Sequence, residues 1–157
     1  MEKKRKEIKI TPIKNGTVID RIRAGQAPIV LKILGLGAGT NTVISLVMNV
    51  QSQKLGKKDI VMIEDRELNP EETNKVALIA PNATINIIRD CQVVKKERVR
   101  LPKIIEAILK CPNPDCISND EKEPIKSKFI LEDENLPSLK CYYCGIEIEN
   151  VPEAIKY

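Results

Sequence analysis

Histidine and tryptophan are missing from this chain of 157 residues, and phenylalanine occurs once. Without histidine the commonest general base is gone, and with it every Ser-His-Asp or Cys-His arrangement and every imidazole metal ligand. A conventional hydrolase is therefore not expected. Aromatic residues make up only 3% of a chain that is 42% hydrophobic, so any core must be aliphatic, and Ile and Val are abundant. No apolar run approaches the ~20 residues that a membrane-crossing helix needs. Met1–Glu7 reads as a solvated charge run and not as a signal peptide, so a cytoplasmic setting is expected.

What the chain does have is cysteine in a telling order. Cys111-Pro-Asn-Pro-Asp-Cys116 is followed, after 24 residues, by Cys141-Tyr-Tyr-Cys144. A thiolate pair with two to four residues between its members can aim both sulfurs at one point. Two such pairs make a closed tetrahedral site, and soft thiolates in that geometry suit zinc. A closed site leaves no position for substrate, so one structural Zn2+ is expected, held by Cys111, Cys116, Cys141 and Cys144. Two disulfides could use the same sulfurs, but a cytoplasmic setting favours the metal. Phe129–Leu131 and Gly145–Ile148 read as short strands, which makes the segment a zinc ribbon. So small a segment has little core, and metal binding would supply on the order of 10 kcal/mol of its folding free energy. The fifth cysteine, Cys91, reads as a small buried hydrophobe. Tyr142 and Tyr143 read as packing residues.

Charge divides the chain. Residues 1–100 carry a balance of +8 and residues 101–157 one of −4. The basic part suits a phosphate-bearing ligand, and the acidic part suits a different partner.

Residues 6–14, with Ile8 and Ile10 alternating before Pro12, read as a strand. Gly16–Asp20 follows as a turn and a short extended piece. Residues 28–36 show helical spacing, ended by Gly35, Gly37 and Gly39. Residues 41–50 and 59–64 read as strands with a polar loop between them. Asn69, Pro70 and Glu72 form a helix start, and Pro81 stops that helix. Thr84–Arg89 and Cys91–Lys95 read as a final strand or pair. The expected class is α+β: a ferredoxin-like antiparallel sheet with two helices over 1–100, then a small all-β zinc ribbon over 101–157, with the boundary at Leu101-Pro102.

Gly16-Thr-Val-Ile-Asp20, Gly56-Lys-Lys-Asp59, Ala80-Pro-Asn-Ala-Thr-Ile-Asn86 and the cysteine pairs, in this order and spacing, resemble the regulatory chain of aspartate carbamoyltransferase. The resemblance implies a non-catalytic subunit of pyrimidine biosynthesis. It implies self-pairing through the N-terminal domain and docking of the zinc domain on the catalytic chain. One nucleotide site would take CTP as inhibitor and ATP as activator, with UTP a further candidate. That site would draw on Thr11, Ile13, Asp20, Arg21, Lys58, Ile60, Asn86, Ile88, Val93 and Lys96. Three positions depart from the family pattern. Arg21 stands in place of a His, Met62 in place of a Lys, and Cys91 in place of a Tyr. Asn113 and Asp115, in the first knuckle, are candidate contacts to the catalytic chain. A reading from another class is a zinc-ribbon nucleic-acid or transcription accessory protein. Its binding would show a steep salt slope, and the acidic ribbon and missing aromatic platform count against it.

Overall fold

A computed structural model describes residues 13–133 and 138–156. Thr11, the Lys3–Lys6 charge run and most of the strand expected over 6–14 lie outside the described residues. The chain runs β1 (Gly16–Arg23), α1 (Ala27–Ile33), β2 (Ile44–Ser52), β3 (Gly56–Glu64), α2 (Pro70–Ile79), β4 (Thr84–Arg89), β5 (Gln92–Arg98), β6 (Ile104–Glu106), β7 (Lys128–Leu131), β8 (Leu139–Cys141) and α3 (Val151–Ala154). The first five strands form one antiparallel sheet in the order β2-β3-β1-β4-β5. Its first four positions are the ferredoxin-like arrangement expected, and β5 adds an edge. The last three strands form a separate sheet, β6-β7-β8.

The central strand is Gly16–Arg23, not the 6–14 stretch, and each residue of its first part has a separate reason to be there. Gly16 has φ +138, and a Cβ there would lie 2.0 Å from the Ile63 carbonyl oxygen, so only glycine fits. The Thr17 hydroxyl donates to the Arg66 carbonyl at 2.6 Å and accepts from the Leu68 amide, tying β1 to the loop before α2. Ile19 is buried under the helices, while Val18 and Asp20 alternate to the opposite face.

α2 starts as its sequence foretold. The Asn69 side chain accepts from the Glu72 amide, the Glu72 carboxylate accepts from the Asn69 amide, and Pro70 is first in the helix. α1 has no such signal. Its capping group is Asp59, 32 residues away, whose carboxylate accepts from Ala27 and Gly25 at 3.0 and 2.8 Å. The other Asp59 oxygen accepts from the Asn49 amide at 3.0 Å. β1 is bulged between Ile19 and Ile22, and β2 between Val47 and Val50, so one buried carboxylate faces two strand irregularities. β2 and β3 extend further into the expected polar loop, because edge pairing such as Gln51 with Lys57 needs backbone and not apolar side chains.

Ile19, Val61, Ile63 and Ile85 pack under Val30, Val76 and Ala77. The same cluster continues through Val99, Ile105 and Leu109 to Phe129 and Ile155 in the cysteine-bearing part. β7 falls where a strand was expected, whereas β8 leads into the second cysteine pair and was not. Residues 145–148 do not form a strand; Lys140 and Glu147 make a single bridge, and Ile148 donates to Leu139 at 2.9 Å. No helix among the described residues is long and apolar enough to cross a membrane.

Replacing Asp59 with Ala strands three amides and should lower the unfolding free energy by about 3 kcal/mol. Asp59→Asn keeps one acceptor and should cost less. Urea melts of the three chains, compared at equal slope, check the order.

Candidate metal centre and open sheet face

The four expected ligands do meet. Their sulfurs all lie within 4.8 Å of one another. Cys111 and Cys144 are 3.5 Å apart and Cys116 and Cys141 3.7 Å apart, and none is in a disulfide. Sulfurs of a zinc tetrahedron with bonds of about 2.3 Å stand about 3.8 Å apart, so the spacing fits the ion and excludes S–S bonds. Cys111, Cys116 and Cys141 are buried and Cys144 is exposed.

Local turns aim these sulfurs. Asn113 accepts from the Asp115 amide through its side chain and from the Cys116 amide through its carbonyl, at 3.0 and 3.1 Å. Asn119 then donates to the Cys111 carbonyl at 2.9 Å and to that of Asn113 at 2.6 Å, closing the first knuckle. In the second, the Gly145 amide donates to Cys141 at 2.9 Å with glycine at φ +77. Asn113 thus serves its own turn, and Asp115 is exposed. Burial pushes the Cys111 and Cys141 thiols up, whereas the Ile146 amide beside Cys144 draws that thiol down to about 7. A dication at the centre compensates the cost of burying thiolates.

The apolar surface around the knuckles is unusual for so acidic a part. Tyr142 and Tyr143 are not packed inside. They are 57% and 39% exposed, and their rings meet edge to face at 5.2 Å. Lys128 Nζ lies 4.6 Å from the Tyr142 ring centroid. Beside them runs a groove of about 740 Å³, lined by Pro112, Pro114 and Ile146 together with Glu147, Glu149 and Glu153.

In the larger sheet, the face opposite the helices carries most of the remaining candidates. Register places Met62, Val18, Asn86 and Lys96 in one row across four strands. Ile13, Met62 and Ile88 form a small apolar cluster there with Val18 and Ile60 against it. Val93 pairs with Ile88 and is exposed, as is Lys96. Asp20 and Lys58 hold each other at 2.9 Å, half-buried. Directly across from Asp20 come Thr84 and then Arg98. Thr84 Oγ1 is buried without a hydrogen-bond partner among the described residues. Val18, Thr84 and Arg98 escaped the sequence reading; their shared parity with Asn86 was the available signal. Arg21 does not join this row. It sits in the β1 bulge at φ +59, lining a cleft at one end of the sheet with Arg23 and Lys57. Cys91 is exposed, not buried, because it and Asp90 both take positive φ at the tip of the β4–β5 turn.

Two family models match. Residues 8–100 match the one described as aspartate carbamoyltransferase regulatory chain, allosteric domain, and residues 103–152 the one described as its metal binding domain. The chain is similar to the aspartate carbamoyltransferase regulatory chain of Methanothrix thermoacetophila, with 56% identity over 88% of this chain and 90% of the relative. To that of Archaeoglobus fulgidus the identity is 50%, over 96% and 99%. To that of Hyperthermus butylicus it is 52%, over 91% of each.

Chelation at neutral pH should abolish the amide dispersion of residues 104–156, and added zinc should restore it. Zinc uptake must expel at least the Cys111 and Cys141 protons, each worth a factor of ten per pH unit. Affinity should therefore fall at least about a hundredfold for each unit of acidification near neutrality, measured by competition with a chromophoric chelator.

Proposed function

The chain belongs to the family of aspartate carbamoyltransferase regulatory chains, and from that membership we propose how its two parts divide the work. Residues 1–100 bind a nucleotide on the helix-free face of the sheet, and residues 101–157 dock on the catalytic chain. The ligand is a nucleoside triphosphate of the CTP or ATP type, with UTP a further candidate. A second copy of the chain pairs through the N-terminal domain. The setting is the cytoplasm, where thiols stay reduced and available to zinc.

One observation carries the nucleotide assignment: Ile13, Ile60, Ile88, Asn86, Val93 and Lys96, chosen far apart in sequence, converge on one face. The apolar cluster offers a floor for a base. Asn86 offers both donor and acceptor for its edge. Lys96 sits beside Asn86 on the exposed edge strand and brings charge for phosphates. Asp20 can accept from a ribose hydroxyl, and its pairing with Lys58 holds it in place for that. Met62 occupies the floor where a charged side chain would have reached the ligand, so base discrimination rests on Asn86 and on backbone groups.

The docking assignment rests on the knuckles. A metal fixes two turns rigidly and leaves Ile117, Tyr142 and Ile146 exposed around them, an apolar surface of the sort that marks an interface. The acids of the adjacent groove disfavour a nucleic-acid backbone at this end. Regulation then follows by linkage: a nucleotide that binds one quaternary state better shifts the assembly toward it, typically by roughly 1–3 kcal/mol.

Aspartate saturation of the catalytic chain should differ with and without this protein and should move with CTP or ATP. Coincident curves at every nucleotide level would sink the regulatory reading. Lys96→Ala should weaken CTP about tenfold, equivalent to ~1.4 kcal/mol, by calorimetry. Treatment with a chelator should release the catalytic chain from co-purification.

A further inference from the structure

We propose that Ser118 is a positioning residue for the metal: its hydroxyl holds the Cys116 sulfur and so sets how firmly the four-cysteine centre keeps its ion. Ser118 Oγ lies 3.1 Å from Cys116 Sγ, and that hydroxyl has no other hydrogen-bond partner among the described residues. A sulfur bound to a dication has lost its proton, so in the loaded centre the hydroxyl donates and the thiolate accepts.

The backbone delivers Ser118 to that sulfur. Cys116 is extended, at φ −65 and ψ 137, and the 3-10 turn Ile117–Asn119 starts immediately after it. The Asn119 amide donates to the Cys116 carbonyl at 2.9 Å, and the Asn119 side chain ties the turn to the Cys111 and Asn113 carbonyls. Ile117 is left in the open, while Ser118 is half-buried beside the centre. With the turn anchored in this way, little freedom is lost when the hydroxyl meets the sulfur.

The other three sulfurs meet backbone amides. That of Asn113 lies at Cys111, those of Tyr143 and Cys144 at Cys141, and that of Ile146, with the Asn113 side chain, at Cys144. Backbone amides belong to the turns and stay whatever side chains the turns carry. At Cys116 the hydroxyl is a side-chain group, so one substitution removes it. Cys116 is also deep, at 3% exposed with Cys141 Sγ 3.7 Å away, and solvent has little access to make good the loss. Four thiolates around a dication leave two negative charges to be dispersed, and a charge-assisted hydrogen bond takes up part of them. Partners that hold a metal's ligands in this way are worth about 10–100-fold in metal affinity.

The test uses the full chain loaded with zinc or with cobalt(II), and two variants, Ser118→Ala and Ser118→Thr. Zinc affinity, by competition with a chromophoric chelator at one fixed pH, should fall about tenfold in Ser118→Ala and stay within about threefold of the parent in Ser118→Thr. The sulfur-to-metal charge-transfer band of the cobalt chain should move to lower energy in Ser118→Ala and stay in place in Ser118→Thr, because a thiolate that loses a donor holds its electrons less tightly. Amide dispersion of residues 104–156 should be alike in the three zinc-loaded chains, which confines the change to the centre. Equal zinc affinity in the parent and Ser118→Ala overturns the proposal. A loss of affinity with an unmoved band overturns it too, and makes Ser118 a packing residue of the turn. If Ser118→Ala does not fold around the ion, Ser118→Thr decides: a band and affinity matching the parent uphold the hydroxyl, and a shifted band or an affinity more than about threefold weaker overturns it.

Discussion

Four sulfurs converging on one point are the constraint on which the C-terminal part depends. Its sheet has three short strands, with Phe129 the one buried aromatic side chain among the described residues. Phe129 buries with a handful of aliphatic side chains such as Ile105, Leu109 and Ile155, each worth about 2–3 kcal/mol, which falls short of the roughly 1–2 kcal/mol per residue that ordering so much loop costs. An ion that locks the turns at Cys111–Cys116 and Cys141–Cys144 removes most of that conformational freedom at once. Free of the need to bury their apolar side chains, the knuckles can leave tyrosines and isoleucines in the open.

The N-terminal sheet solves a different problem. Its helices cover one face only, and the chain must hold the other face open while keeping it ordered. A buried carboxylate does much of this. Asp59 satisfies the start of α1, the turn before it and the irregularity in β2, and so holds the bulged strand ends beside the Asp20–Lys58 pair. The apolar cascade from Ile19 through Val99 and Leu109 to Phe129 then joins the sheet to the metal-bearing part. In the proposed division of work, this close-packed path would be the route between a ligand on the sheet and a partner at the knuckles.

Elements whose cause is local were legible beforehand. Asn69-Pro70-Glu72 carries a complete start signal within four residues, and the paired cysteine spacing carries its own chemistry. Elements whose cause is distant were not. The strand at Gly16–Arg23 reads from sequence only as a turn and a short extended piece because Gly16 looks like a turn residue, and its real reason is the Ile63 carbonyl on another strand. Cys91 was read as buried because cysteine usually is, whereas a two-residue turn in left-handed conformation turns it out to solvent. Tyr142 and Tyr143 were read as packing for their size, but their knuckle is held from within by sulfur.

The amino-acid order alone determined the ligand set for zinc, the α+β class and the division into a basic and an acidic part. Spacing, caps and charge act over a few residues and need no fold to be read. Tertiary structure alone decided which candidates share a face. Strand register brings Met62, Val18, Asn86 and Lys96 into one row and leaves Arg21, of the opposite parity and in the bulge, outside it. In a pleated sheet, a shift of one residue exchanges the two faces, and that shift is set by hydrogen bonds to strands far away in the chain.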